Sequence, residues 1–229
     1  DLLNSDDKTN LQSIDYSSPV TKINVAVNAL PSFSCKPNPS DGSALPHHQT
    51  TVHLNCENCD IIHDAYVDYM NGNWSQKPVI EMTIPSSVDP TISPPGSHVV
   101  LLFTQYTPYH LSGGRQWNEA TKNQYAKLVF SNIEPYCPGF EASVIGYEVL
   151  APPTLEETFG LTGGNIFHGA MSLDQLYWSR PTLKWANYRS PIKGLYLCGS
   201  GAHPGGGVTG APGRLSALAV LNDRKRLKR

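Results

Sequence analysis

The feature that most constrains this chain is a glycine-rich segment close to its carboxy-terminal end. Seven of the 19 glycines lie within residues 199–213. A short apolar stretch at residues 195–198, typical of a β-strand, leads into this segment, and a helix is predicted from about Gly210. A strand, a glycine loop and a helix amino terminus in this order bind phosphate groups in many proteins, because exposed backbone N–H groups and the helix dipole attract an anion.

Two common phosphate-binding motifs do not account for this segment. The Walker loop, GxxxxGK[ST], is absent from the chain. The dinucleotide-binding fingerprint fits at Gly199 and Gly201, but Pro204 stands where its third glycine belongs, and Asp223 lies on the predicted terminal helix instead of a second parallel strand. We therefore interpret the segment as one part of a nucleotide-binding site. The other part of that site would lie in an earlier region of a longer protein. A glycine-rich packing turn is the alternative.

The remaining sequence predicts an α/β fold of the α+β kind, with a mixed sheet and interleaved helices. Glycine and proline together make up 38 of 229 residues, which favours a loop-rich protein. The polar residues 1–15 are interpreted as a disordered segment or linker. Alternating or continuous apolar runs predict strands at residues 20–27, 50–55, 78–84, 98–106 and 142–150. Helical periodicity and capping residues predict helices at residues 60–70 and 118–135.

Charge and hydropathy exclude several partners. Arginine and lysine occupy five of the last six positions, and the other 12 basic residues face 19 acidic ones. The body of the chain is therefore acidic, and we expect no nucleic-acid partner. The basic tail is interpreted as a solvated helix end, with contact to anionic lipid or nucleic acid as the alternative. No run of about 18 apolar residues occurs, so no transmembrane segment is predicted.

The cysteines predict a reducing compartment and offer one weak metal site. Five cysteines are too few, and odd in number, for a disulfide framework in a chain of this length. Cys56 and Cys59 form a CxxC motif, and His63 follows four residues later. These residues are weak candidates for zinc ligands or, in the case of the cysteines, for a redox pair. Because no second CxxC motif accompanies them, no metal is assigned.

Several segments carry a resemblance to a known family. GLYLCGSGAHPGGGV at residues 194–208 resembles the carboxy-terminal flavin motif of the phytoene-desaturase-like FAD oxidoreductases. GGNIFHGAMSLDQLY at residues 163–177, SPVTKINVAV at 18–27 and FTQY at 103–106 extend the resemblance to a member of this family over about residues 18–221. Only the later part of such proteins is matched. The resemblance therefore implies that the amino-terminal dinucleotide-binding unit has no counterpart here.

The resemblance implies a domain organisation and a cofactor. Residues 16–178 would form a substrate or cap domain, and residues 179–229 would complete an FAD-binding, Rossmann-like domain. The implied cofactor is FAD, and its site is expected to be incomplete in this chain. The residues expected to contact FAD lie in the glycine segment and are Gly199, Ser200, Gly201, Gly206, Gly207, Val208, Thr209 and Gly210.

The resemblance also implies a function. The intact protein would be a mitochondrial matrix, FAD-dependent oxidoreductase that transfers a hydride from an unknown organic substrate to flavin and takes part in regulating mitochondrial function. This chain alone is expected to be inactive. The alternative is a non-enzymatic, flavin-dependent scaffold or regulator that binds mitochondrial protein partners.

No catalytic residue is assigned, but two weak candidates stand near the predicted site. His203 follows the first glycine turn, where it would be a proton shuttle or a hydrogen-bond partner of the cofactor; a loop histidine paired with backbone is the alternative. Tyr177 belongs to a polar cluster with His168, Asp174, Gln175 and Arg180. In this cluster Arg180 would bind an acidic group of a ligand, whereas an amphipathic connection between domains is the alternative.

Overall fold

The computed structural model describes residues 2–227 and contains a five-stranded sheet in the order β2-β3-β4-β1-β5. The strands are β1 (Val20–Val27), β2 (Val52–Leu54), β3 (Val79–Thr83), β4 (His98–Gln105) and β5 (Val144–Leu150). The helices are α1 (Ser5–Gln12), α2 (Cys59–Met70), α3 (Glu119–Ile133), α4 (Phe140–Ser143), α5 (Pro152–Phe159) and α6 (Ala211–Leu227). The predicted α+β class and the five predicted strands of the sheet are confirmed.

Single-turn 3₁₀ helices lie in the connections between these elements. They are Pro46–Gln49, Pro85–Ser87, Pro90–Ile92, Ser112–Gly114, Thr162–Gly164, Leu173–Gln175 and Tyr177–Ser179. Across residues 2–227, no helix is both long and apolar enough to span a bilayer.

The sheet is antiparallel where a mixed sheet was predicted. Each of its neighbouring strand pairs runs in opposite directions. β4 and β5 run in the same direction, and α3 lies between them in the sequence. Two parallel strands connected through a helix often pair side by side. However, β1 lies between them and pairs with both. Consequently, no parallel pair forms at this crossover.

Internal contacts divide the chain into two compact units. The sheet unit is Pro19–Leu155, and the loop unit joins the residues up to Ser18 with those from Glu156 onward. The predicted substrate domain, residues 16–178, therefore differs from the sheet unit, because residues 156–178 pack within the loop unit. The assignment of residues 179–229 to an FAD-binding domain stays a prediction.

The sheet unit is held together by one apolar core between the sheet and α3. Ile23, Val25 and Val27 alternate along β1 and are almost fully buried. From α3, Tyr125, Val129 and Ile133 recur every fourth residue and are equally buried. Burial of each large aliphatic side chain contributes about 1.5–3 kcal/mol to folding. The Asn118 side chain accepts a hydrogen bond from the Thr121 N–H group and caps α3 as predicted.

The segment predicted to be a linker contains a docked helix. In α1 the Asn4 side chain accepts a hydrogen bond from the Asp7 N–H group. The Asp7 carboxylate is buried and lies 2.7 Å from Lys184 Nζ. This ion pair joins positions 177 residues apart. The linker prediction for residues 1–15 is thus corrected for residues 5–12, whereas Asp1 lies outside the described residues, as do Lys228 and Arg229 of the basic tail.

We predict that Tyr125→Phe lowers the free energy of unfolding by about 1 kcal/mol. The buried Tyr125 hydroxyl donates to Thr104 Oγ1 at 2.8 Å, and Thr104 in turn donates to the Thr21 carbonyl at 3.0 Å. Burial raises the pKa of Tyr125, so the hydroxyl remains a donor. The measurement is urea denaturation.

The matched control is Tyr147→Phe. The Tyr147 hydroxyl also donates a hydrogen bond, to Asn123 Oδ1, but the side chain is exposed. We expect a loss below about 0.5 kcal/mol for this variant. Equal losses in the two variants would contradict the role given to the buried bond.

Candidate cofactor-binding site

One buried arginine organises the glycine segment. Arg180 is 2% exposed, and its five N–H groups donate to backbone carbonyl groups. These carbonyl groups belong to Phe167, Gly169, Ala170, Gln175 and Ser200. The bond from Nε to Ser200 is 2.6 Å long, and the bond from Nη2 to Gly169 is 3.0 Å long. Burial lowers the pKa of the Arg180 guanidinium from its usual value.

The expectation that Arg180 binds an acidic ligand is therefore corrected. A guanidinium has five N–H donors, and carbonyl oxygens accept from all of them. Arg180 instead fixes the first glycine turn, through Ser200, to the preceding segment. Gln175, of the same predicted cluster, is also structural: its side chain accepts from the Asp15 N–H group and donates to the Asp15 carbonyl, at 2.7 and 3.0 Å.

At two positions in its first half, the glycine segment packs closely against residues 167 and 168. A Cβ atom at Gly206 would lie 2.2 Å from the ring of Phe167, and one at Gly201 would lie 3.3 Å from the Cβ of His168. Gly205 has a φ of +122° and lies beside the Arg180 side chain. These glycines allow the chain to approach its neighbouring segment closely.

The second half of the segment is exposed and offers unpaired donors. Gly207 and Gly210 have φ angles of +128° and +69°, and residues 207–210 are exposed. No acceptor in residues 2–227 pairs with the N–H groups of Gly207, Val208 and Gly210, or with that of half-buried Gly206 just before them. The Thr209 hydroxyl accepts from the Ala211 N–H group, where α6 begins. Unpaired N–H groups before a helix amino terminus suit a phosphate.

The predicted strand at residues 195–198 forms only one β-bridge, between Tyr196 and Arg189. The Leu197 N–H group also donates to the Tyr188 carbonyl at 2.8 Å. An extended segment forms a β-strand only where another extended segment pairs with it over several residues. In the described chain, pairing with residues 195–198 is limited to these contacts. The strand prediction is thus corrected, whereas the helix predicted from about Gly210 is confirmed as α6.

Asp223 is engaged in an ion pair and is not free to bind a ribose. Both of its carboxylate oxygens accept from Arg189, at 2.7 and 2.8 Å, and the Tyr196 hydroxyl donates to it at 2.9 Å. These bonds lower the pKa of Asp223 to about 2. The pair attaches α6 to the bridged segment that precedes the glycines.

Both catalytic candidates lie beside the first glycine turn. His203 is half-buried, its ring stands edge-on to that of Tyr188 at 6.1 Å, and its Nδ1 atom is buried without a partner in the described residues. The alternative of a histidine paired with backbone is thus not supported at Nδ1. Tyr177 donates its N–H group to the Pro204 carbonyl at 3.2 Å and has a half-exposed ring.

The cysteine motif does not form a metal site in the described residues. Asn58 caps α2, which begins at Cys59, and Cys56 lies before it. Within residues 2–227, no three His, Cys, Asp or Glu side chains stand close enough together to hold a metal ion. The weak candidate set of Cys56, Cys59 and His63 is thus not assembled. All five cysteines are free thiols, so Cys56 and Cys59 are not joined either.

Comparison with known proteins extends these observations. No family model matches the chain. Over 217 residues the chain is 58% identical to pyridine nucleotide-disulfide oxidoreductase domain-containing protein 2 of Mus musculus, a match that covers 95% of the chain and 37% of the mouse protein. The protein of the same name from Rattus norvegicus is 57% identical over the same length and coverage. The chain is a relative of these proteins.

One more distant relative is a phytoene desaturase, the kind of enzyme that the sequence resembles. The lycopene-forming phytoene desaturase of Pseudescherichia vulneris is 27% identical over 137 residues, or 60% of this chain and 27% of that enzyme. The crystal structure of an oxidoreductase from Methanosarcina mazei has a TM-score of 0.49 and 15% identity, covering 94% of this chain and 36% of that one. The chain spans little more than a third of the length of the mouse and rat relatives.

We predict that Arg180→Lys lowers the free energy of unfolding by about 3 kcal/mol, since an ammonium group cannot reach five carbonyl groups arranged around a planar guanidinium. Urea denaturation of the chain measures the effect. Arg224→Lys, at an exposed position of α6, is the control and should cost below about 0.5 kcal/mol. Equal stability of the two variants would show that the carbonyl bonds are dispensable.

The ion pair of Asp223 predicts a stability change in acid. Because the pKa of Asp223 falls from 3.8 to about 2 on folding, its stabilising effect is present above about pH 4 and is lost as the pH falls towards 2. We expect Asp223→Asn to remove this part of the acid dependence, measured by urea denaturation across this range. The control is Asp174→Asn, an exposed carboxyl outside the pair. An unchanged acid profile in Asp223→Asn would contradict the assignment.

Proposed function

We propose that this chain supplies part of the cofactor site of a flavin-dependent oxidoreductase. The single observation that carries the proposal is the exposed second half of the glycine segment, with its unpaired N–H groups ahead of α6. The mouse and rat relatives are named for a pyridine nucleotide-disulfide oxidoreductase domain, and the relative from Pseudescherichia vulneris is a phytoene desaturase. Phytoene desaturases are typically flavoproteins, which makes FAD the cofactor to test.

The residues present fit the diphosphate of FAD. Gly207 and Gly210 expose backbone without a Cβ atom, and the described chain leaves four neighbouring N–H groups without acceptors. The dipole of α6 adds only about 0.3–2 kcal/mol for an anion at its amino terminus, so hydrogen bonds from the loop must supply most of the affinity. We assign the direct contacts to Gly206, Gly207, Val208, Thr209 and Gly210.

The first glycine turn has a different role in this proposal. Gly199, Ser200 and Gly201 set the direction of the segment, and Arg180 holds the turn through the Ser200 carbonyl. A loop fixed before the ligand arrives loses less conformational entropy on binding. Arg180 is thus a positioning residue for the exposed donors that follow.

A bound flavin would accept a hydride from an organic substrate, while the protein would bind and orient both. His203 is the side chain we propose for a hydrogen bond to the cofactor or for moving a proton, because it is half-buried next to the first glycine turn. Tyr177, exposed beside Pro204, is the second candidate. The remainder of the site would come from the part of the relatives that this chain does not match, and so we expect weak FAD binding and no turnover by this chain alone.

We also propose a mitochondrial matrix location, on the resemblance alone. The five free thiols agree with a reducing compartment. Protease protection of the tagged protein in fractionated mitochondria tests this, with signal protected until the inner membrane is dissolved. Protein recovered outside mitochondria would overturn it.

We predict that FAD added to the ¹⁵N-labelled chain shifts the amide resonances of residues 206–210. Gly207→Asp should reduce the affinity at least about tenfold, because a carboxylate among the donors repels a phosphate. Gly96→Asp is the matched control, since Gly96 is also exposed, also has a positive φ and also has open space around its Cα. It should bind FAD like the unchanged chain.

Two results would overturn the proposed cofactor site. One is the absence of any shift at millimolar FAD. The other is an equal loss of affinity in Gly207→Asp and Gly96→Asp, which would indicate attraction by overall charge instead of a site at the loop.

A further inference from the structure

Three histidines lie close together where the long connection between β1 and β2 meets the start of β4. They are His47 and His48, from the 3₁₀ helix Pro46–Gln49, and His98, the first residue of β4. The ring centroids of His47 and His48 are 4.0 Å apart. His98 stands near enough to His48 for positive charges on the two rings to repel each other. All three histidines belong to the sheet unit.

His48 is fixed in its neutral form by two hydrogen bonds to the backbone. The residue is 1% exposed. The Leu45 N–H group donates to Nδ1 at 2.9 Å, so Nδ1 carries no hydrogen. The hydrogen of the neutral ring is therefore on Nε2, which donates to the Pro31 carbonyl at 2.9 Å. A second proton could bind only at Nδ1, where it would face the Leu45 N–H group and break that bond.

The other two histidines are equally unsuited to a positive charge. Both ring nitrogen atoms of His47 are buried, and neither has a hydrogen-bond partner in residues 2–227. Burial, His48 and the Lys36 ammonium group lower the pKa of His47. Burial and His48 lower the pKa of His98, whose Nδ1 atom lies 3.4 Å from the Ser86 hydroxyl. Within the described chain, none of the three forms an ion pair with a carboxylate.

His48 also ties together the segments around it. Its ring binds Pro31, and its carbonyl oxygen accepts from the Ser87 hydroxyl at 2.7 Å. The ring of Phe33 lies 6.2 Å from that of His48, and Phe33 is a buried part of the apolar core. Loss of the bonds to the His48 ring would therefore free residues 30–49 and uncover part of this core.

We propose that residues 30–49 form a closure over the core of the sheet unit, and that this closure opens when the three histidines are protonated. In the closed form, a positive charge on the cluster would be buried and repelled by Lys36. In the open form, the rings are hydrated and bind protons as ordinary histidines do. The closure is therefore stable above about pH 6.5, the usual histidine pKa, and becomes progressively less stable as the pH falls below it.

Hydrogen exchange of the chain, followed by NMR at pH 7 and pH 5, tests this closure. The Leu45 N–H group donates to His48 Nδ1, and the His48 N–H group donates to the Leu45 carbonyl. A histidine that stays neutral when closed makes opening about 25-fold more favourable at pH 5 than at pH 7. We expect the protection factors of these two amides to fall at least about tenfold. Those of Val25 and Leu102, in the paired strands β1 and β4, should fall less than about twofold.

Two pairs of variants separate the cluster from general effects of acid. His48→Gln cannot take up a proton and should lose most of the pH dependence at positions 45 and 48, whereas His110→Gln, at an exposed position, should keep it. Lys36→Glu places a carboxylate beside His47 and should lower the midpoint pH of opening by roughly 0.5. Lys127→Glu makes the same change of charge at an exposed position of α3 and should leave the midpoint unchanged.

Several results would overturn the proposal. The first is unchanged protection at positions 45 and 48 at pH 5. The second is an equal loss of protection at Val25 and Leu102, which would indicate unfolding of the whole unit. The third is a full pH dependence in His48→Gln. If that variant does not fold, the lysine variants decide, because equal midpoints in Lys36→Glu and Lys127→Glu would exclude the histidine cluster as the cause.

Discussion

The loop unit depends on one buried positive charge that is balanced by backbone carbonyl groups instead of a carboxylate. Arg180 draws together residues 167–175 and the turn at Ser200 through five hydrogen bonds. A unit with so little regular secondary structure has few backbone ladders to hold it, and the guanidinium takes their place. Glycine suits positions 205 and 206 for the same reason, because the chain there packs against Arg180 and Phe167.

Much of the sheet unit could be predicted from the sequence, because its signals are local. The alternation along β1 and the Asn118 cap of α3 each reflect a single element and its immediate surroundings. The antiparallel direction of the strand pairs cannot be predicted from such local signals, because it depends on β1 lying between β4 and β5. Helix α1 was missed for a related reason. Its sequence is polar, and its docking depends on Lys184, which is 177 positions away.

The candidate site divides in the same way. The glycine loop and α6 were predictable from glycine spacing and helical periodicity, whereas the strand before them required a pairing partner that spacing cannot reveal. The sequence suggests a ligand-binding role for Arg180, whereas its partners in the structure are backbone carbonyl groups. Every residue has such a group, so the sequence cannot indicate which ones an arginine will bind.

The rigid first turn leads into exposed N–H donors at residues 207–210, and we propose that these donors hold a flavin. The most direct measurement is the visible absorption spectrum of the intact mouse relative, purified without added cofactor, beside a variant with aspartate at the residue aligned with Gly207. We expect oxidised-flavin absorption in the unchanged protein and its loss in the variant. A colourless intact protein, or a variant that retains its flavin, would contradict it.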